Sequence, residues 1–358
     1  MIRFTRLPLA APLLLVLGCR STPAGAAARM DAATPPDSRT TPDVATNIDA
    51  ASIETAGDAA IEGGRDVTST DVTATDATAE AVPDDAATSD AATGDAHPRY
   101  DGAPTVAPAL PGWTFVWSDE FEEAAVDESV WNILDAPGTK ANAELQYYTN
   151  RKNDELGANV FLQDGALVIE AREEMSNGFA YTSARLNTEL GAANFQYGRF
   201  EARMKLPNVT GMWPAFWLLG DDSRTAGWPT CGEVDIMEGK GRLPNWTAGS
   251  LHRGLASGAA NDVVSTRSYT LPTGNFHDDW HVFAVEWDLQ QVSWYVDDTL
   301  YETVTRPTAA AQPWPFDQKF YILLNLAVGG LFDANATPPA GMPPQQLLVD
   351  YVRVYQKP

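Results

Sequence analysis

The chain has 358 residues, and 48 Asp and Glu against 24 Lys and Arg leave a formal net charge of -24. So acidic a polymer is repelled by nucleic-acid phosphates and by anionic membrane surfaces, which excludes charge-driven binding to either, and its two cysteines exclude a disulfide-stapled scaffold. The length allows one to three domains, an all-β domain alone often taking ~200–250 residues.

The first 19 residues read as a targeting segment, with Arg3 and Arg6 ahead of the apolar run Leu13 to Leu17 and then Gly18-Cys19. The run is shorter than the ~20 apolar residues of a membrane-spanning helix. Leu15-Val16-Leu17-Gly18-Cys19 resembles a bacterial lipoprotein signal. The resemblance implies cleavage that leaves Cys19 as a lipidated first residue, so that contact with a membrane runs only through a lipid anchor. Arg20 stands where a retention Asp could sit, which points to the outer membrane; plain signal cleavage and secretion is the alternative. Residues 20–100 form a second kind of segment. No Phe, Trp or Tyr occurs from 20 to 99, and an Asp-Ala-Thr texture recurs, as in Asp71-Val72-Thr73-Ala74-Thr75-Asp76. Without aromatic anchors such a stretch buries too little apolar surface to offset its ordering entropy, and it is expected to be a disordered, self-repelling tether.

Residues 101–358 are expected to hold one folded domain, because all 11 Trp fall between Trp113 and Trp314. Their apolar pattern has period two. Leu167 to Arg172, Phe200 to Leu206 and Val349 to Tyr355 alternate as strands, and Val282–Trp287 and Val292–Val296 flank the hairpin signal Asp288-Leu289-Gln290-Gln291. No long helical period stands out. The expected fold is all-β, a sandwich or jelly roll of two antiparallel sheets.

The richest segment is Gly232-Glu233-Val234-Asp235-Ile236-Met237-Glu238-Gly239. Glu233 and Asp235 share one strand face, which cannot be the dry core, since adjacent buried carboxylates are too costly to ionise together. Glu238 has the wrong parity, and a bulge absorbing one residue near Ile236-Met237 would return it to that face. Three carboxylates on one face suit glycoside hydrolysis, in which a retaining mechanism needs two carboxyls ~5–5.5 Å apart. Four steps of straight strand span ~13 Å, so curvature, the bulge and inward-leaning side chains have to close the gap. On this reading Glu233 is the nucleophile, Glu238 the acid/base with a raised pKa, and Asp235 the group that helps to separate their pKa values. An exposed acidic strand or a calcium site is the alternative. Trp213, Trp217 and Trp228 lie close by in sequence and offer flat faces for sugar rings.

Gly211-Met212-Trp213-Pro214-Ala215-Phe216-Trp217-Leu218-Leu219, Gly227-Trp228-Pro229 and Glu233-Val234-Asp235-Ile236-Met237-Glu238 resemble glycoside hydrolase family 16, laminarinase-like branch. Trp117-Ser118-Asp119-Glu120-Phe121, Glu144-Leu145-Gln146-Tyr147-Tyr148-Thr149, Asn325-Leu326-Ala327-Val328-Gly329-Gly330 and Asp350-Tyr351-Val352-Arg353-Val354-Tyr355 extend the likeness to the whole folded part. It implies a concanavalin A-like jelly roll with an open concave cleft, and retaining, endo-acting cleavage of β-1,3-glucosidic bonds in laminarin-like β-glucans without a catalytic cofactor. It also implies that Arg185, His252, Asn159 and Asn325 contact sugar, and that Glu120, Gly165 and Asp350 hold a structural calcium ion away from the cleft. A monomer is expected. Mixed-linkage β-glucan or another polysaccharide as substrate, and a surface glucan-binding protein, are the competing readings; the retained glutamates favour an enzyme. After Glu238 the branch usually carries bulkier residues, whereas here Gly239-Lys240-Gly241 follows, which suggests a wider or looser cleft edge. Cys231 is expected to be a buried free thiol.

Overall fold

The computed structural model describes residues 109–191, 193–309 and 312–358. The expected signal, the tether and Cys19 lie outside the described residues. In chain order the strands are β1 (Thr114–Asp119), β2 (Asn132–Ile133), β3 (Ala136–Pro137), β4 (Gln146–Tyr148), β5 (Val160–Gln163), β6 (Ala166–Ser176), β7 (Phe179–Ser183), β8 (Arg185–Asn187) and β9 (Gly198–Lys205). They continue with β10 (Met212–Gly220), β11 (Glu233–Gly239), β12 (Trp246–Arg253), β13 (Val263–Thr270), β14 (His281–Trp287), β15 (Gln291–Val296), β16 (Thr299–Thr305), β17 (Phe320–Val328) and β18 (Gln345–Gln356). Among the described residues the α-helical content is one turn, Ser223–Ala226.

These strands make two sheets. One has seven strands in the order β13-β12-β11-β10-β17-β8-β2 and is antiparallel throughout. The other has eleven, in the order β16-β15-β14-β9-β18-β6-β7-β4-β3, with β1 beside β18 and β5 beside β6. The hairpin expected around Asp288 is β14–β15, with Val285 opposite Trp294.

Period-two patterning decides which side chains meet between the sheets. On β10 the residues Met212, Phe216 and Leu218 enter the core, and on β17 Phe320, Ile322, Leu324, Leu326 and Val328 do so. Phe200, Ala202 and Met204 of β9, Val285 and Trp287 of β14 and Trp294 of β15 meet them from the eleven-stranded sheet. The alternate residues of the seven-stranded sheet therefore point away from the core, and these form the functional face.

Candidate active site

Cross-strand register places the outward residues of the seven-stranded sheet in rows. His252 on β12 lies opposite Glu233 on β11, which lies opposite Leu219 on β10. In the next row Ser250, Asp235, Trp217 and Leu323 are neighbours. In the third, Ala248, Glu238, Ala215, Asn325 and Arg185 follow one another from β12 to β8. The bulge required by the spacing is present: Asp235 and Glu238 face Ser250 and Ala248, so three steps on β11 match two on β12. Its physical content is that Ile236 and Met237 both enter the core, which returns Glu238 to the side of Glu233 and Asp235. The alanines flanking Glu238 leave room on both sides of its carboxyl.

Each acid has its own polar partners. The Trp213 indole donates to Glu238 Oε1 at 3.0 Å. His252 Nε2 lies 3.3 Å from Asp235 Oδ2 and 3.9 Å from Glu233 Oε1. The other ring nitrogen of His252 is bonded to Asp262 at 2.6 Å. Burial, and then the charge of Asp235, push the Glu233 carboxyl up to about 8. The same two causes hold Glu238 well above the usual carboxylate range. Burial works against a charged His252, but hydrogen bonds to Asp235 and Asp262 outweigh it and raise its pKa well above normal. The three acids thus share too few positive charges to be ionised together. Of the two glutamates, Glu233 lies within 3.9 Å of the imidazole, and its charge also acts on Arg185. Glu238 has a neutral indole as its bonded partner. Both carboxyls are held above the usual range, and Glu233, with the nearer cation, is placed to give up its proton before Glu238.

Around the acids the aromatic residues line the same face. Trp217 donates to Asn325 Oδ1 at 2.8 Å, and the Arg185 guanidinium lies over the rings of Tyr148 and Trp217 at 4.7 and 5.5 Å. Trp228 sits 5.6 Å from the His252 ring. All three of Trp213, Trp217 and Trp228 are half-buried, as rings that line a groove should be.

The sequence of residues 145–353 matches the family described as glycosyl hydrolases family 16. The chain belongs to glycosyl hydrolases family 16. It is 41% identical over 257 residues to a β-glucanase of Rhodothermus marinus, the alignment covering 69% of this chain and 86% of that protein. It is 40% identical over 278 residues to glucan endo-1,3-beta-glucosidase A1 of Niallia circulans, covering 72% of this chain and 39% of that longer protein. The crystal structure of an endo-β-1,3-glucanase from Pyrococcus furiosus superposes with a TM-score of 0.61 at 42% identity, over 68% of this chain and 94% of that one.

Several expectations carried by the family 16 motifs meet a different geometry. Asn159 does not reach the cleft: it is fully buried. Its amide donates to the Glu170 carbonyl at 2.9 Å and to the Thr182 hydroxyl at 3.0 Å, while its oxygen accepts from Thr149 and Arg151. Every polar atom is used, so Asn159 braces β5 against β6 and offers nothing to a sugar. Two of the expected calcium ligands, Glu120 and Asp350, are held by arginines. Both carboxylate oxygens of Glu120 pair with Arg353, Asp350 pairs with Arg203 at 2.7 Å, and a side chain at Gly165 would meet the Glu122 carboxylate at 3.2 Å. The Glu120 and Asp350 carboxylates, already neutralised, do not fit a calcium ion. Among the described residues, the group of acids and histidine close enough to share an ion is Glu233, Asp235 and His252, in the cleft. Cys231 is a buried free thiol, pushed up to about 12 by burial and then by Glu233.

The edge after Glu238 is tight rather than loose. A side chain at Gly239 would meet Pro214 at 2.9 Å, and one at Gly241 would fall on the Val209 carbonyl. Between them Lys240 Nζ sits 4.7 Å over Trp246 and 4.3 Å over Phe332, and Phe332 stacks on Trp213 at 5.0 Å. Sequence reading missed Lys240 as a contact, and also Asp262, Trp246 and Phe332. Asp262 lies outside any strand motif, and only the folded loop brings it to His252.

Proposed function

We propose that the protein is a retaining endo-β-1,3-glucanase acting on laminarin-like β-glucans. Glu233 is the nucleophile, Glu238 the acid/base, and Asp235 the group that orients His252 and keeps a second negative charge off Glu238. The observation that carries the reading is the bulged strand β11, which sets two glutamates on one cleft face, Glu233 being the nearer of the two to His252. Protonated Glu238 gives its proton to the glycosidic oxygen as the bond to the anomeric carbon breaks. The Glu233 carboxylate attacks that carbon and forms a glycosyl ester. Glu238, now ionised, takes a proton from water, whose oxygen displaces Glu233 and restores both groups. Trp213, Trp217, Trp228, Arg185 and Asn325 hold the chain of sugars, and these side chains supply the chemistry without a cofactor. The names of the relatives support the β-1,3 linkage.

Product analysis on laminarin, lichenan, curdlan and agarose tests the proposal. Oligosaccharides released from laminarin and curdlan are expected. Release from lichenan alone would move the assignment to mixed-linkage glucan, and laminarin retention without products would make the protein a binder. For the region before the domain we propose export as an outer-membrane lipoprotein anchored through Cys19. Membrane fractionation with Cys19→Ala tests this: the variant should move to the soluble fraction.

A further inference from the structure

The bulge that aligns the acids is held from behind. Trp294 belongs to β15 of the opposite sheet and is fully buried. Its indole N–H donates to the backbone carbonyl of Asp235 at 2.8 Å. That carbonyl sits at the start of the bulge, where the register of β11 slips against both neighbours. A carbonyl bonded to a side chain of the facing sheet is turned out of its own sheet, and without the indole it would be a buried acceptor with no partner. A second buried side chain, Thr247 on β12, donates to the carbonyl of Glu238 at 3.1 Å, at the other end of the bulge.

An independent observation lies on β12. The residue between Ser250 and Ala248, directly across from the bulge, is Gly249. A Cβ there would come within 2.6 Å of Trp294 Nε1 and 2.7 Å of the Tyr301 hydroxyl. The absence of a side chain at this position is what lets the indole reach Asp235. The geometry points to Trp294, admitted by Gly249, as a positioning residue: it touches no sugar, but it clamps the β11 bulge and thereby sets the spacing and orientation of Glu233 and Glu238. This inference rests on the retaining reading above and adds a control point on the far sheet.

Trp294→Phe keeps the aromatic body and deletes the donor. Trp287→Phe is the matched control, because Trp287 on β14 also donates a buried indole bond, to the Phe316 carbonyl at 3.1 Å, away from the bulge. The two variants should lose similar thermal stability. Trp294→Phe should lose ~10- to 100-fold in kcat on laminarin, as a small misplacement of reacting groups does, with KM within about twofold, and the limbs of its kcat–pH profile should move. Trp287→Phe should keep kcat and pH profile. Gly249→Ala should reproduce the Trp294→Phe phenotype. Should Trp294→Phe fail to fold, Thr247→Val carries the same test at the other end of the bulge. Wild-type kcat and pH profile in folded Trp294→Phe or Thr247→Val overturns the clamp, as does an equal kcat loss in Trp287→Phe. Loss of activity in Glu233→Gln measured alongside keeps the retaining reading separate from that result.

Discussion

Glu233 holds its proton to a pH where a free carboxyl has long lost one, and this has a consequence for stability. The folded state binds that proton more tightly than the unfolded chain. The contribution of Glu233 to stability is therefore intact below the ordinary value of ~4.3 and is lost as pH rises towards about 8. Glu233→Gln removes the penalty. Its melting temperature should exceed that of the wild type at pH 8 by several degrees, at ~2–4 °C per kcal/mol for a domain of this size, and the gap should close at pH 4. A gap that is the same at both pH values would show that Glu233 titrates normally. Glu238→Gln should lower laminarin turnover by ~10²–10⁴-fold, the ordinary worth of a general acid. Because the lost step is departure of the leaving group, aryl glycosides with good leaving groups should be hydrolysed with a much smaller loss; equal losses on both substrates would argue against Glu238 as the acid. The three acids were legible from spacing and parity. Asp262 was not, because it reaches His252 through loop geometry that no local pattern encodes. Asn159 was misplaced because a motif match gives a position in the chain and says nothing of whether the amide is already saturated.

Strand β11 shows how much one residue can decide. Deleting Ile236 would remove the bulge, yet plain alternation would keep Glu238 on the face of Glu233 and Asp235; one residue inserted after Met237 would instead turn Glu238 to the core side, among Phe216 and Leu218, where an unpaired carboxylate costs several kcal/mol. The insertion variant should be inactive and markedly less stable by thermal melting; an active insertion variant would mean that the register is set elsewhere. The extra residue was readable in the sequence because Glu238 broke the alternation. What pins it was not readable: Trp294 looks like any core tryptophan on a period-two strand until the opposite sheet is in place. The same limit applies at Gly239-Lys240-Gly241. Small residues suggested slack, but here they let chain segments pack against Pro214 and Val209, while Lys240 closes over two rings. Lys240→Met should cost ~0.5–1 kcal/mol, the usual worth of an exposed cation–π pair, measured by chemical denaturation; no change would mean that the ammonium is solvated away from the rings.

At the scale of the molecule, every strand among the described residues lies between Thr114 and Gln356. A chain beginning at residue 101 should therefore hydrolyse soluble laminarin at the full-length rate, and a large deficit would assign the acidic N-terminal segment a part in catalysis. The two-sheet architecture was legible from alternation and from the placement of tryptophans, but strand order was not, since period two says which face is buried and nothing about neighbours. That order has a consequence for biogenesis. The last two strands of the domain in chain order are interior ones: β17 separates β10 from β8, and β18 separates β9 from β6. Neither sheet can close until the C-terminal residues have left the ribosome. A chain with so many long-range pairings folds slowly. The same arrangement makes the final dozen residues the least expendable part of the domain, so that a nonsense mutation near the end would remove the middle of a sheet rather than trim its edge.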